Sequence, residues 1–197
     1  VNTVSKTYAQ ELQYIYYAHG LADVVREKGA YFSGITNGID MQLFDPKSSA
    51  GLAAFYDSQT LCEGKRENKL ALQRAVGLRE DADSALAVMV TRLAGHKGID
   101  LLCYIAERLM ERRVQLLVVG TGEEKYEWFL QYLQHRYAGQ SAVYLHFDPK
   151  IANLAYAGAD LYLMPSKAEP CGLSQLIAMR FGAVPVVNAT GGLRDTV

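Results

Sequence analysis

From about residue 85 onward, hydrophobic residues gather into short continuous runs separated by longer amphipathic stretches. The runs are ALAVMVTRL (85–93), VQLLVVG (114–120), AVYLHF (142–147), DLYLMP (160–165) and AVPVVN (183–188). Rich in Val, Leu or Tyr and almost unbroken in hydrophobicity, they predict strands buried on both faces of a parallel sheet. Between them, GIDLLCYIAERLMERR, EEKYEWFLQYLQHRYAG, PKIANLAYAGA and CGLSQLIAMRFG repeat apolar residues every three and four positions, the period of helices with one buried face. Strand and helix alternating at this spacing predict an α/β fold with a doubly wound parallel sheet. Such sheets bind ligands beyond the carboxyl ends of their strands, where loops run into helices.

Before residue 85 the pattern is weaker. SKTYAQEL and GLADVVREKG have helical character, YFSGITNGID reads as extended, and RENKLALQRAVGL predicts a helix that stops at Gly77. The stretch 38–66, with Gly, Pro, Asp and Ser scattered through it, reads as a long connection. The expected organisation is therefore residues 1–66 as the end of a preceding domain plus the connection, and 67–197 as the doubly wound domain, whose pattern breaks off in GGLRDTV.

Composition narrows the function. With 197 residues, half of them hydrophobic, the chain can bury a sizeable core. A net charge of -1 gives no basic field, which argues against nucleic-acid and anionic-membrane partners. Cys62, Cys103 and Cys171 are odd in number and far apart, without a CxxC or Cys/His spacing. That usage argues for a reducing, cytoplasmic compartment and against structural zinc. No run approaches 18 apolar residues, and VNTVSKTYAQEL lacks the basic start and apolar stretch of a signal peptide.

The candidate chemistry collects at the strand ends. TRLAGHKG places Arg92 at the first strand's end and Lys97 just before the next helix, a pair suited to a diphosphate. Taken alone, the two also read as solvated surface cations. After the second strand, Gly120 and Gly122 are expected to let the backbone approach a ligand, with Thr121 offering a hydroxyl. Phe147, beside His146, ends the third strand and reads either as a stacking ring or as core. The fourth leads to SKAEPCGLSQ, where Glu169 is either a cap for the following helix or an acceptor for ligand hydroxyls. Thr190, Gly191 and Gly192 after the fifth strand repeat the expectation of a close backbone approach. Asp81 and Asp83 form a DxD, but before the first strand, at the wrong edge of the sheet for a metal in that site.

The segments TVSKTYAQEL, SGITNGID, ENKLALQ, TRLAGHKGIDLL, YAGADLYLMPS, EPCGLSQLIAMRFG and ATGGLRDTV together resemble the bacterial glycogen synthase and plant starch synthase family. The resemblance implies the GT-B architecture, two Rossmann-like domains facing across a cleft, of which this chain holds the end of the first and most of the second. It implies transfer of glucose from ADP-glucose, or UDP-glucose in related members, to the non-reducing end of an α-1,4-glucan with retention and without a metal or other cofactor. In that family Arg92 and Lys97 match the pair that neutralises the donor diphosphate, and Glu169 matches the acid near the glucosyl ring. Cys171, Gly172, Leu173 and Ser174 match the segment around the donor, Phe147 the ring packing on adenine, and Thr190, Gly191 and Gly192 the lining of glucose and phosphates.

The chain also departs from the family. Ala168 stands for the usual aromatic before EPCG, His96 for a common glutamine and Ser174 for threonine, and Ile177 leaves the paired-glutamate motif of the wider GT-B group absent, as in this family. The family's lysine-glycine-glycine motif and first-domain histidine have no counterpart, so the resemblance implies that first domain as a partner. Two rival readings are a non-catalytic nucleotide-sugar or glucan-binding module and another GT-B transferase using UDP-glucose.

Overall fold

A computed structural model describes residues 1–197. The amino-terminal part holds β1 (Asn2–Thr3), α1 (Lys6–Glu11), α2 (Ile15–Ala18), α3 (Ala22–Lys28) and β2 (Ser33–Gly34), with β1 and β2 paired in parallel. An irregular stretch then leads to α4 (Leu61–Val76), so the expected boundary at 66/67 falls inside one helix. Gly77 ends α4 in the left-handed region at φ 75°, which glycine adopts without steric cost.

Next come β3 (Ala85–Val90), α5 (Ile99–Met110), β4 (Val114–Val119), α6 (Glu124–Arg136) and β5 (Ser141–Tyr144). The chain then crosses back through α7 (Pro149–Gly158) to β6 (Leu161–Met164), and finishes with α8 (Ser174–Arg180), β7 (Val184–Val187) and α9 (Gly191–Thr196). The sheet order is β5-β4-β3-β6-β7, and every pairing is parallel. This is the doubly wound α/β sheet expected from the alternation, with its winding reversed between β3 and β6.

Side chains leave a strand alternately up and down, and both sides here are apolar. Leu86 and Val88 of β3, with Leu117 and Val119 of β4, pack under α4, α7 and α8 against Leu72, Tyr156 and Phe181. Ala87, Met89, Leu116 and Val118 point the other way, against Ile99, Leu102 and Ala106 of α5 and Leu130 and Leu133 of α6. Burial on both faces explains the continuous hydrophobicity of β3 and β4, whereas the edge strand β7, also expected to be buried on both faces, leaves Val184 and Val186 exposed because no helix covers that side. Burial also fixes the carboxyl ends of β3 and β6 side by side.

Candidate active site

The crevice between β3 and β6 is the topological switch point, where doubly wound sheets take their ligands. After β3 the chain makes a short turn of 3-10 helix over Gly95–Lys97. The loop after β6 runs alongside, and the Lys167 N–H donates to the His96 carbonyl at 2.9 Å. Such an approach needs Gly98, where a Cβ would sit 2.1 Å from the Pro165 carbonyl oxygen. The two loops are thus held in contact by backbone.

Lys97 and Glu169 meet there. The Lys97 Nζ donates to Glu169 Oε2 at 2.6 Å, and Ser166 Oγ donates to the same oxygen at 3.1 Å. Glu169 is only 6% exposed. It does not cap α8: that helix begins five residues later, and its N-cap Leu173 makes no side-chain bond. The alternative left open by the sequence is settled against the cap. A second pair, Lys167 Nζ to Asp100 Oδ2 at 2.5 Å, ties the same loop to the first turn of α5. The hydrogen bond from Lys167 holds Asp100 below the usual carboxylate range.

A cleft of about 730 Å³ opens over this crevice. Arg92, Lys97 and Lys167 make one wall cationic, with His96 and Ala168 beside them. Tyr8, Tyr16, Tyr17 and His19 of the amino-terminal helices form the other. Burial, then the charges of Lys97 and Arg92, push His96 below the ordinary imidazole range. A neighbouring pocket of about 410 Å³ is lined by Gly120, Thr121, His146, Phe147 and Ser174. Arg92 lines both spaces and so joins them. Phe147, 85% exposed, is not core, and its ring stands free beside the smaller pocket.

The glycines also serve contacts within the chain itself. A Cβ on Gly120 would fall 1.8 Å from the Thr91 carbonyl oxygen, and one on Gly122 would fall 2.1 Å from that of Leu93. They make room for the loop after β3, which bridges to Gly122 through Leu93. Likewise a Cβ on Gly191 would fall 1.9 Å from the Glu169 carbonyl oxygen, and one on Gly192 would fall 2.3 Å from the Cys171 Cα. The close approach at these four glycines is between loops of the chain itself. Thr190 donates its hydroxyl to Glu11 Oε1 at 3.0 Å and so faces α1.

The EPCG turn divides similarly. Cys171 is buried, so its side chain faces inward, Gly172 takes a left-handed φ of 73°, and Leu173 is exposed. Gln175, unremarked in the sequence reading, is fully buried, and its Nε2 donates to the carbonyls of Cys171 and Gly172 and to Thr196 Oγ1. Also missed were Ser166, the Asp100–Lys167 pair, Glu11 and the cleft tyrosines. Only Ser166, three residues before Glu169, carried a local signal. Asp81 accepts bonds from Ser84 Oγ and from the amides of Asp83 and Ser84, and Asp83 pairs with Arg66 at 3.6 Å, so the DxD carboxylates serve their own loop.

Comparisons with known proteins agree with the resemblance read from the motifs. The chain is 43% identical over 197 residues to a glycogen synthase of Bacillus cereus (strain B4264), and 44% identical over 197 residues to one of Clostridium beijerinckii. In both cases all of this chain aligns and spans 41% of the relative's length. The catalytic domain of starch synthase IV from Arabidopsis thaliana, solved with ADP and acarbose, superposes with a TM-score of 0.92 at 33% identity, covering 100% of this chain and 41% of that one. The doubly wound sheet is thus that of a GT-B glycosyltransferase. The family model for glycosyl transferases group 1 matches residues 74–197, from the end of α4 through the whole switch-point site. By that match over most of its length, the chain belongs to the glycosyl transferases group 1 family.

Proposed function

We propose that this chain forms the donor-binding part of a glucosyltransferase that moves glucose from ADP-glucose to the non-reducing end of an α-1,4-glucan with retention. The observation that carries the reading is that Arg92 and Lys97 line one cleft at the switch point, Lys97 being paired with Glu169, with a second pocket against Arg92 that has room for a nucleobase. The names of the relatives and the ADP and acarbose bound by the starch synthase neighbour support it.

In this reading the nucleobase enters the smaller pocket and stacks on Phe147, beside Gly120, Thr121 and Ser174. The diphosphate lies across Arg92 and Lys97, whose charges serve without a metal ion or other cofactor. The glucosyl ring reaches the cleft above Glu169. Departure of the nucleoside diphosphate builds negative charge on phosphate and positive charge on the sugar carbon. Fixed cations favour that state over the ground state, which is the source of the rate. Glu169, pinned through one oxygen by Lys97 and Ser166, suits orientation of sugar hydroxyls and charge balance better than free nucleophilic attack. The acceptor hydroxyl then attacks the sugar carbon from the face the leaving group vacates and gives its proton to the departing phosphate. A first domain completes the cleft on the acceptor side. The three free cysteines support a cytoplasmic location.

Calorimetric titration tests the reading. Saturable binding of ADP and ADP-glucose, weakened in Lys97→Ala, is the expected result. Stronger binding of UDP than of ADP would move the assignment to a UDP-glucose transferase. Absence of binding for all three ligands would overturn the placement of the donor.

A further inference from the structure

Helix α1 is tied to the site and to α9 through three polar residues. Ser5, fully buried ahead of the helix, donates its hydroxyl to the Pro170 carbonyl at 2.6 Å and accepts from the Tyr8 N–H at 3.2 Å. At the far end of the helix, Glu11 Oε1 accepts from the Gly191 N–H at 2.8 Å and from Thr190 Oγ1 at 3.0 Å. Thr7 between them binds the Asp195 carboxylate through its N–H at 2.8 Å and its hydroxyl at 2.6 Å. Both outer contacts land on the backbone that places Glu169. Pro170 follows Glu169 directly, and the Gly192 N–H donates to the Glu169 carbonyl at 2.9 Å. The Glu169 side chain has no bond to this framework, holding only Lys97 and Ser166.

We propose that Ser5 and Glu11 are positioning residues: through Pro170 and the Gly191–Gly192 turn they set the Glu169 carboxylate against Lys97, so that recognition of the donor's glucosyl end depends on α1 being seated. The inference rests on the role given to Glu169 above and extends it to a helix outside the sheet. Small displacements are enough, since ligand-orienting groups lose effect when misplaced by about 1 Å. Glu11 Oε2 is buried without a partner. Replacing that oxygen by an amide nitrogen therefore removes no bond, and Glu11→Gln keeps both accepted bonds on Oε1.

The test compares calorimetric affinities for ADP and ADP-glucose, whose ratio isolates the glucosyl contribution, together with amide exchange at Gly192. In Glu11→Ala the affinity for ADP-glucose is expected to fall about tenfold while that for ADP moves less than about twofold. Exchange at Gly192 is expected to quicken, and Glu11→Gln to restore both readouts. Ser5→Ala, which removes the bond to Pro170, is expected to show the same selective loss and stands in if Glu11→Ala does not fold. An equal loss for both ligands would overturn the proposal, leaving α1 a stabilising element only. So would an unchanged ratio. If the unaltered chain gains nothing from the glucosyl group, the donor reading fails and the proposal falls with it, whereas a glucosyl gain that Glu11→Ala leaves intact overturns the proposal alone.

Discussion

Replacing Lys97 by methionine strands a buried carboxylate, and the structure sets the size of the effect. The ammonium and Glu169 Oε2 are 2.6 Å apart, and their side chains are 19% and 8% exposed. Their attraction at an effective dielectric of about 20 is roughly 6 kcal/mol, most of it offset by the desolvation of two ions. Removing one partner of such a pair costs about 3–5 kcal/mol, because the survivor stays buried and uncompensated. One feature favours the lower end here: Ser166 still donates to the carboxylate at 3.1 Å. We expect Lys97→Met to lose about 3 kcal/mol in urea unfolding. Glu169→Gln should lose less, about 1–2 kcal/mol, because Lys97 can turn its charge toward the cleft. The double variant should fall short of the sum by about 2 kcal/mol, the signature of a direct pair. Additivity within about 0.5 kcal/mol would refute the buried ion pair, and with it the placement of Glu169.

Other outcomes follow from single residues. Arg92→Ala should weaken ADP and UDP alike, roughly tenfold or more, since Arg92 would meet the diphosphate and not the base; titration with both nucleotides checks this. Phe147→Ala should weaken ADP by about 1–3 kcal/mol while leaving inorganic pyrophosphate binding unchanged, because only the base would stack. Lys65, whose Nζ donates to the carbonyls of Ala157 and Phe181 at 2.9 and 3.1 Å, is pushed by burial down to about 8. Below pH 8 its charge penalises the fold. As pH rises from 8 toward 10.5 the folded amine discharges before the unfolded one, so stability relative to Lys65→Met should rise by up to about 3 kcal/mol. The two N–H groups of the neutral amine still match its two carbonyl partners. Chemical denaturation of both proteins across that range is the measurement, and a flat difference would contradict it.

The fold was legible because its signal is local. Strands buried on both faces must be apolar throughout, as β3 and β4 are, and the five runs mark β3 to β7 with errors only at their ends, although β7 keeps one exposed face. The run AVYLHF overshoots: β5 ends at Tyr144, and His146 and Phe147 lie beyond it, beside the smaller pocket. Gly77 marked the end of α4 because a left-handed terminus leaves little choice of residue. Helix α9 was hidden because GGLRDT opens on two glycines, which read as a turn. Glycine shows that a Cβ is excluded but not by what. At Gly120 and Gly191 the excluding atoms are carbonyl oxygens of Thr91 and Glu169, set by the packing of loops distant in sequence. The Lys97–Glu169 pair was likewise out of reach, since its members lie on different crossovers and only the strand order brings them together. The cleft tyrosines carry no period, and only the docking of the amino-terminal helices sets them along the cleft.

The pair also bears on why the proposed transferase would bury its acid. An ammonium has three N–H donors, and Glu169 takes one, leaving two for phosphate oxygens. Arg92 has no carboxylate partner, so the site offers one uncommitted cation beside two shared ones, Lys97 and Lys167. In the proposed reaction, growing charge on the departing phosphate competes with Glu169 for Lys97. To the extent that Lys97 answers the phosphate, the charge of Glu169 is less neutralised at the moment the sugar carbon becomes cationic. Both charge developments are then met by one preformed pair, more strongly in the transition state than before it, which is the condition for catalysis. A glutamate free in the cleft would be hydrated and mobile. One fixed beneath it by Lys97, Ser166 and the backbone bond from Gly192 supplies its charge without reorganisation.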